Sequence, residues 1–178
     1  LGAFLNQRDV QWVAVCDVRK NRRQAAKRMV DTKQGTTDCA AYADLRQLLA
    51  ERADLEAVLI ATGDRWHALA SVLAMRAGKD VYSEKPACLT MAQGQSVVAT
   101  AARYGRVYQT GAQRLSEPDH VFGIELARSG RLGPVHTAYA DCRWRDGRRQ
   151  AWLAAQPEPS KGEVEWELWL GPAPWGPY

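Results

Sequence analysis

The chain has 178 residues, of which 46% are hydrophobic, and it carries a formal net charge of +4 at pH 7. This composition excludes wholesale disorder and is enough for one domain, or for one domain and part of another. No apolar run is long enough to cross a bilayer. The basic residues scatter along the chain and form no stripe of the kind that binds nucleic acid. We therefore expect neither a membrane nor a nucleic acid as partner.

The first part of the chain alternates strand and helix patterns. Near-continuous apolar runs at 12–16 and 57–61 predict strands buried on both faces, and 80–83 and 106–110 predict two more. Helices are predicted over 20–30, 44–52, 67–77, 91–104 and 119–129. The helix over 67–77 carries Leu69, Val72 and Leu73 on one stripe, and Thr90 opens a T-x-x-Q capping box. This spacing predicts an α/β fold with a doubly wound parallel sheet.

The pattern changes after about residue 131. Alternation over 135–144 predicts a strand of a different sheet, and tryptophan and proline become frequent. We expect residues 1–130 to form one domain and residues 131–178 to begin a second α+β domain that breaks off at Tyr178. The tryptophans there either stack on a sugar ring or pack a small domain, and packing is the better explanation for most of them.

Cysteine and histidine form no recognisable site. None of the four cysteines belongs to a C-x-x-C pair, and the three histidines lie far apart, so we expect no metal. Cys16 lies inside an apolar run and is expected to be a small buried hydrophobe. Neither residue type indicates a compartment, so localisation is left open, with the cytoplasm as the default.

Asp17 follows the first apolar strand and precedes a helix. In dinucleotide-binding folds an acidic residue at this position accepts hydrogen bonds from the adenosine ribose, and its charge favours NAD over NADP. Arg19 and Lys20 follow at once and soften that preference. The alternative is an ordinary helix cap. The G-x-G-x-x-G turn that should precede Asp17 is absent, so we expect the first strand and glycine-rich loop of such a domain to be missing; the alternative is that the chain does not bind a dinucleotide in the usual way.

Glu84, Lys85 and Pro86 form the sharpest signal in the chain. The proline follows a strand directly, which fixes the turn and permits a cis bond. Lys85 would then project toward the crevice at the carboxyl ends of the strands, where a nearby cofactor cation and partial desolvation suit it to proton transfer. The alternative is a surface Glu–Lys pair of little energetic value.

Three segments in order, A-T-G-D-R-W-H-A, A-G-K-D-V-Y-S-E-K-P and R-V-Y-Q-T-G-A-Q-R, closely resemble the Gfo/Idh/MocA oxidoreductases. The resemblance spans essentially the whole chain and implies a Rossmann-like fold with a nicotinamide cofactor, NAD more than NADP. It also implies a sugar-like small-molecule substrate and a homo-oligomer. Gly63 stands where the family usually has proline. The glycine-rich loop is missing, and the later Asp and His of the family's catalytic set have no counterpart here, so we expect the chain as given to bind cofactor poorly and to be inactive.

The resemblance also assigns roles to individual positions. Asp17 matches the ribose-binding acid, Lys85 the catalytic or substrate-orienting lysine, and Arg114 a residue facing the substrate. The cofactor-binding positions that it implies are Asp17, Thr62, Asp64, Arg65, Trp66, His67, Glu84, Lys85 and Gln113.

These features predict an enzyme that passes a hydride between nicotinamide and a carbon bearing a hydroxyl, with Lys85 assisting proton movement. Two alternatives stay open. One is an NAD-dependent glycosidase of the same family. The other is a non-catalytic sensor of a dinucleotide or sugar, in which Asp17 and Glu84 would serve and Lys85 would be dispensable. A fragment without activity is a third, simpler reading.

Overall fold

Strands and helices alternate through most of the computed structural model, which describes residues 2–140 and 157–178. The order is α1 (Gly2–Leu5), β1 (Ala14–Cys16), α2 (Lys20–Gln34), β2 (Ala40–Tyr42), α3 (Leu45–Glu51), β3 (Ala57–Ile60), α4 (Asp64–Arg76), β4 (Asp80–Ser83), α5 (Met91–Tyr104), β5 (Tyr108–Thr110), a 3₁₀ helix (Gln113–Ser116), α6 (Pro118–Arg128) and α7 (Trp166–Leu170). This order confirms the predicted α/β class.

All strand pairs in the described residues are parallel. β1 pairs with β2, and β3, β4 and β5 form a second sheet in that order. Each connection between paired strands contains a helix, as parallel pairing requires. The doubly wound sheet predicted from the sequence is therefore present as two hydrogen-bonded parts, with no ladder between β1 and β3.

Two predicted elements need correction. The strand expected over 135–144 is absent from 135–140, where the backbone is irregular and exposed, and its last four residues lie outside the described part. The helix expected to begin at His67 begins three residues earlier, at Asp64. Strand β2 was not predicted, because its three residues Ala40–Tyr42 are too short for a periodic pattern.

The main core lies between α4, α5 and the three-stranded sheet. Ile60, Val81 and Val97 are buried there, and α4 contributes a face of small residues together with Met75. The predicted stripe on α4 is wrong at Leu69, which is 38% exposed, whereas Val72 packs against the core. The fully buried face is formed by Ala70, Ser71 and Ala74. Small side chains let the helix approach the sheet and α5 closely, so this face is buried although it is the less hydrophobic one.

Local signals place the helix ends. The Thr90 hydroxyl accepts a hydrogen bond from the Gln93 amide at 3.2 Å, and the Gln93 side chain accepts one from Leu89 N at 2.8 Å, so α5 begins where the capping box predicted. Asp44 caps α3 by accepting from Arg46 N at 2.8 Å. The Arg46 guanidinium also holds the pKa of the Asp44 carboxyl below its ordinary value.

Packing divides the chain into two compact units. One comprises residues 1–111 together with 159–178, and the other residues 112–158. The closing segment thus packs with the sheet, whereas the sequence assigned it to a second domain beginning at 131. The prediction that a cofactor-binding domain ends at residue 130 and a second domain begins at residue 131 stays a prediction. Within the described residues, no helix combines the length and apolar character of a bilayer span.

The buried position of Met75 gives a test of this core. Met75→Ala should lower the free energy of unfolding by about 2–5 kcal/mol, because the side chain is fully buried and its removal leaves a cavity. Met91→Ala is the matched control: that side chain is 81% exposed, and its loss should change stability by less than about 0.5 kcal/mol. Urea denaturation followed by circular dichroism measures both. Equal losses would contradict the described packing of α4.

Candidate functional site

The carboxyl ends of β3, β4 and β5 meet at one edge of the sheet. Ile60 is paired with Ser83, and Ser83 with Thr110, so the three strands stop at the same level. The ladder continues for one step, because Glu84 N donates to Ile60 O at 2.8 Å and Gly111 N donates to Ser83 O at 2.7 Å. The polar turns that follow the strands therefore emerge side by side, where α/β sheets bind cofactors.

His67 ties two of these turns together. Its side chain is buried, 1% exposed, with Nδ1 2.7 Å from the carbonyl oxygen of Pro86 and Nε2 3.1 Å from that of Thr62. A neutral imidazole carries one N–H and donates to only one of these oxygens at a time. The structure thus gives His67 a positioning role between the turn after β3 and the turn after β4. Its predicted contact with cofactor stays a prediction.

Lys85 lies on the outer side of this arrangement. Its side chain is exposed, its bond to Pro86 is cis, and its backbone N donates to Glu84 Oε2 at 3.3 Å. Within the described ranges the Lys85 ammonium forms no ion pair. The carboxylate of Glu84 thus contacts the Lys85 backbone, and the surface Glu–Lys pair considered from the sequence is not formed in the described residues.

Asp17 lies at the carboxyl end of β1. Its Oδ1 accepts a hydrogen bond from Arg19 N at 2.8 Å, and its backbone N donates to Tyr42 O. The side chain therefore shapes the turn into α2 but does not cap the helix, because the N-cap position is Arg19 and has no side-chain cap hydrogen bond. One carboxylate oxygen already has this partner, and the other has none among the described residues, so the same side chain can still accept from a ligand.

The turn after β3 and the start of α4 carry the next group of predicted residues. Thr62 and Gly63 form the turn, with Gly63 at the N-cap position, and Asp64 is the first residue of the helix. An acidic residue in the first turn is favoured by the partial positive charge of the helix N-terminus. Asp64 is exposed and has no ion pair in the described part of the chain.

Arg65 and Trp66 are engaged by the closing segment of the same unit. The Arg65 guanidinium donates to the carbonyl oxygens of Trp169 and Leu170 and lies over the Trp169 ring, 3.9 Å from its centroid. The Trp66 indole N–H donates to Leu168 O at 2.9 Å. The sequence assigned both side chains to the cofactor. In the structure their polar groups hold α7 in place, and any contact with the cofactor stays a prediction.

Close packing accompanies these bonds. Gly171 ends α7 with φ 56°, and a Cβ at this position would collide with the Trp66 indole. Trp166 stacks on Trp169 with ring centroids 4.7 Å apart, and its N–H donates to Gly176 O. The expectation that most tail tryptophans serve packing is confirmed for Trp166 and Trp169. Trp144 and Trp152 lie outside the described residues.

Gln113 and Arg114 belong to the second unit. Both lie in the 3₁₀ helix, and Arg114 forms an ion pair with Glu117 at 2.6 Å. Their predicted roles toward nicotinamide and substrate stay predictions.

A cavity of about 790 Å³ reaches this edge of the first unit. The structure brings four of the predicted residues to this one cavity: Asp17, Thr62, Arg65 and Trp66. His67 contacts the carbonyl oxygens of Thr62 and Pro86, and it thereby links the turn of Lys85 to the cavity. Residues that the sequence did not single out complete the arrangement: Leu168 and Trp169 also border the cavity. The frequent tryptophans near the end of the sequence were the only sequence signal for the role of Leu168 and Trp169.

Cys16 is the cysteine at the candidate site. Cys16 borders the cavity and is exposed there, which corrects the expectation of a buried residue. Although the residue as a whole is exposed, protein atoms surround its thiol, and this desolvation, with smaller contributions from the Asp44 and Asp17 carboxylates, raises the pKa of the thiol to about 12, so it stays protonated and weakly nucleophilic at neutral pH. Among the described residues no cluster of His, Cys, Asp and Glu is arranged to hold a metal ion.

The fold and the sheet-edge turns define a dinucleotide-binding α/β domain, and comparison with known proteins makes this specific. The profile of the oxidoreductase family with an NAD-binding Rossmann fold, Gfo/Idh/MocA, matches residues 1–112. The chain belongs to this family. The expected cofactor, NAD, agrees with the family's description.

Individual relatives point the same way. Inositol 2-dehydrogenase of Salmonella paratyphi B is 33% identical over 127 residues, covering 70% of this chain and 35% of the relative. Glycosyl hydrolase family 109 protein 1 of Bacteroides thetaiotaomicron is 34% identical over 128 residues, covering 70% of this chain and 27% of the relative. The structure of myo-inositol 2-dehydrogenase from Lactobacillus plantarum has the same fold, with a TM-score of 0.64 at 20% identity, over 74% of this chain and 38% of that one. The chain thus spans about a third of the length of these relatives.

The bridging role of His67 can be tested by stability. His67→Phe keeps a ring of similar shape and removes both nitrogens, so it should cost about 0.5–1.5 kcal/mol of unfolding free energy by removing the hydrogen bond that the imidazole donates to one of the two carbonyl oxygens. His67→Asn, which restores an N–H donor, should recover part of the loss. His136→Phe is the matched control, because His136 is exposed. Urea denaturation measures the free energy of unfolding of all three variants. An unchanged free energy of unfolding in His67→Phe would exclude the bridge.

Proposed function

We propose that this chain is the cofactor-binding part of a nicotinamide-dependent oxidoreductase acting on a hydroxyl or carbonyl group of a sugar, a polyol or a related compound. One observation carries the proposal: Asp17 and Thr62 border a single cavity, and His67 links Thr62 to the turn that presents Lys85. An acid suited to a ribose thereby follows the carboxyl end of β1, and an ammonium suited to a substrate oxygen follows the carboxyl end of β4.

The residues present fit NAD at its adenosine ribose. The carboxylate oxygen of Asp17 that is not bonded to Arg19 can accept from the ribose hydroxyls, and its charge repels a 2′-phosphate. Lys20, which could soften this repulsion, is paired with Glu163 at 3.3 Å. The charge of Asp17 and the pairing of Lys20 with Glu163 both favour NAD over NADP. No residue is assigned to the pyrophosphate, because no G-x-G-x-x-G turn occurs in the 178 residues.

Lys85 is the residue best suited to the reacting oxygen. Its ammonium is exposed and unpaired in the described part of the chain, so it can hold a substrate hydroxyl by donating to the oxygen and can move a proton at that atom. Bound nicotinamide would supply the hydride chemistry, and the protein would contribute orientation and charge. Glu84, anchored through Ile60 O, and His67, anchored to Pro86 O, would hold the lysine's turn in place.

The substrate class rests on the relatives. Inositol 2-dehydrogenase takes its name from a polyol, and 1,5-anhydro-D-fructose reductase of Ensifer adhaerens, 27% identical over 112 residues, from a sugar derivative. A second candidate function, glycoside hydrolysis with NAD as a resident group, has a specific observation in its favour. The glycosyl hydrolase family 109 relative is as similar to this chain as the inositol dehydrogenase is.

Asp17 should govern cofactor affinity and choice. In the full-length gene product, Asp17→Ala should weaken NAD binding at least tenfold, because hydrogen bonds to a charged group contribute about 1.5–3 kcal/mol. It should also narrow the preference for NAD over NADP. Asp38→Ala, an exposed aspartate on the loop before β2, is the matched control and should bind as the wild type does. Fluorescence titration with the reduced cofactors gives the affinities. Unchanged binding in Asp17→Ala would leave the residue with its turn-shaping hydrogen bond to Arg19 as its only role.

Lys85 should govern turnover. Lys85→Ala in the full-length gene product should abolish reduction of NAD by a panel of sugars and inositols, followed by absorbance, while cofactor affinity changes little. Lys33→Ala, which removes an exposed ammonium at the end of α2, should leave turnover unchanged.

The outcomes of this experiment separate the alternatives. Turnover like the wild type's in Lys85→Ala would remove the lysine from the mechanism. Binding of NAD without turnover on any compound of the panel would favour the non-catalytic sensor. Release of an aglycone from a glycoside without net NAD reduction would favour the hydrolase.

A further inference from the structure

One short segment near the end of the chain bonds to two separate turns of the first unit. Residues 163–171, which include α7, form this bridging segment, and they belong to the same compact unit as the strands. One of the two turns follows β1 and begins at Asp17, and the other follows β3 and contains Thr62. Both residues belong to the set proposed to contact the cofactor, so the bridging segment connects two parts of the candidate site.

Backbone pairing joins the bridging segment to the turn after β1. Arg19 and Val164 face each other in an antiparallel bridge that lies outside the strands of both sheets. In such a pairing the flanking backbone groups exchange hydrogen bonds, so backbone is tied directly to backbone. Two hydrogen bonds close this bridge, from Lys20 N to Glu163 O at 3.0 Å and from Glu165 N to Val18 O at 3.1 Å.

The turn after β1 also holds the Asp17 carboxylate. Arg19 N donates to Asp17 Oδ1 at 2.8 Å, so the residue that pairs with Val164 also orients the acid. The Arg23 guanidinium donates to the carbonyl oxygen of Asp17 at 2.6 Å and anchors the turn to α2. A displacement of the bridging segment would therefore move the carboxylate that is proposed to accept from the adenosine ribose.

Side chains join the bridging segment to the turn after β3. The bonds from Arg65 and Trp66 to the carbonyl oxygens of α7 hold the start of α4 against the segment. The Arg65 guanidinium also lies close to Gly63, with Nη1 3.3 Å from the point that a Cβ on Gly63 would occupy. Glycine has more backbone freedom than any other residue, so these contacts restrict a turn that its own sequence restricts little.

We propose that the bridging segment is a positioning element for the cofactor, which holds the turns at Asp17 and Thr62 at the spacing that bound NAD requires. The inference rests on the proposed function, and no residue of the segment needs to touch NAD. A ligand that contacts both turns binds more tightly when they are already ordered, because less conformational entropy is lost on binding. Linkage is reciprocal, so bound NAD should also strengthen the contacts of the bridging segment.

Glu165→Pro tests the backbone bridge. Residue 165 has φ −80°, which a proline ring accepts, and Val164 before it is held extended by the bridge. The substitution therefore removes the hydrogen bond to Val18 O and retains the local backbone conformation. In the full-length gene product it should raise the KM for NAD about fivefold, the loss expected for one net hydrogen bond, and leave kcat at saturating NAD unchanged. Glu165→Ala, which keeps the N–H and loses an exposed side chain, is the matched control.

Gly171→Ala tests the other end of the bridging segment. A Cβ at this position would collide with the Trp66 indole, so α7 would have to move away from the start of α4. The KM for NAD should again rise about fivefold with kcat unchanged, because the indole hydrogen bond is lost. Gly176→Ala is the matched control: a Cβ there would meet no atom within 4 Å, and the KM should stay as in the wild type.

Two measurements separate positioning from a general loss of stability. In the Asp17→Ala background, Glu165→Pro should raise the Kd of NADH by less than about twofold, because the acid that the bridge orients is gone and the two effects are coupled. In the wild type, saturating NAD should slow amide hydrogen exchange at Lys20 and Glu165 by roughly threefold or more, because binding stabilises the bridge. The amide of the buried Val97 in α5 is the internal reference and should not change.

Three results would overturn the proposal. One is a KM for NAD like the wild type's in both Glu165→Pro and Gly171→Ala, and another is an equal effect of Glu165→Pro with and without Asp17. The third is unchanged exchange at Lys20 and Glu165 on addition of NAD, a measurement that needs no variant to fold. Each of these leaves the proposed oxidoreductase intact, whereas a wild-type protein that binds no NAD would overturn both proposals.

Discussion

The level at which the parallel strands stop is the constraint on which the candidate site depends. Ile60, Ser83 and Thr110 are paired in register. The turns that follow the three strands therefore lie at the same edge of the sheet. The buried imidazole of His67 then fixes the distance between two of those turns through their own carbonyl oxygens. Parallel pairing brings the turns to the same edge, and the His67 side chain sets the distance between two of them. The exposed Lys85 therefore extends from a turn that is held by hydrogen bonds.

Much of this could be predicted from the sequence, for physical reasons. Continuous apolar runs located β1 and β3, although the predicted burial on both faces is wrong at Cys16 and Ala57, which are exposed. The capping box located the start of α5 at Thr90. Parallel topology follows from strand–helix alternation alone. The edge that would carry the site followed from that topology, and the E-K-P turn then stood out because its polar residues lie where a strand must end.

Other features depend on contacts that sequence patterns do not carry. The buried face of α4 consists mostly of small residues, which are less hydrophobic than Leu69. This face is nevertheless the buried one, because small side chains let the helix approach the sheet and α5 closely. Strand β2 has three residues, too few to show a period. The engagement of Arg65 with α7 joins segments 104 and 105 residues apart, and no local rule reports such a partner.

The docking of α7 onto the start of α4 constrains how this protein can diverge. The guanidinium fork of Arg65 spans two successive carbonyl oxygens, a geometry that lysine does not reproduce. The Trp66 indole occupies the space that any side chain larger than hydrogen would need at residue 171. Positions 66 and 171 therefore constrain each other: a chain that keeps this packing with tryptophan at position 66 has room only for glycine at position 171.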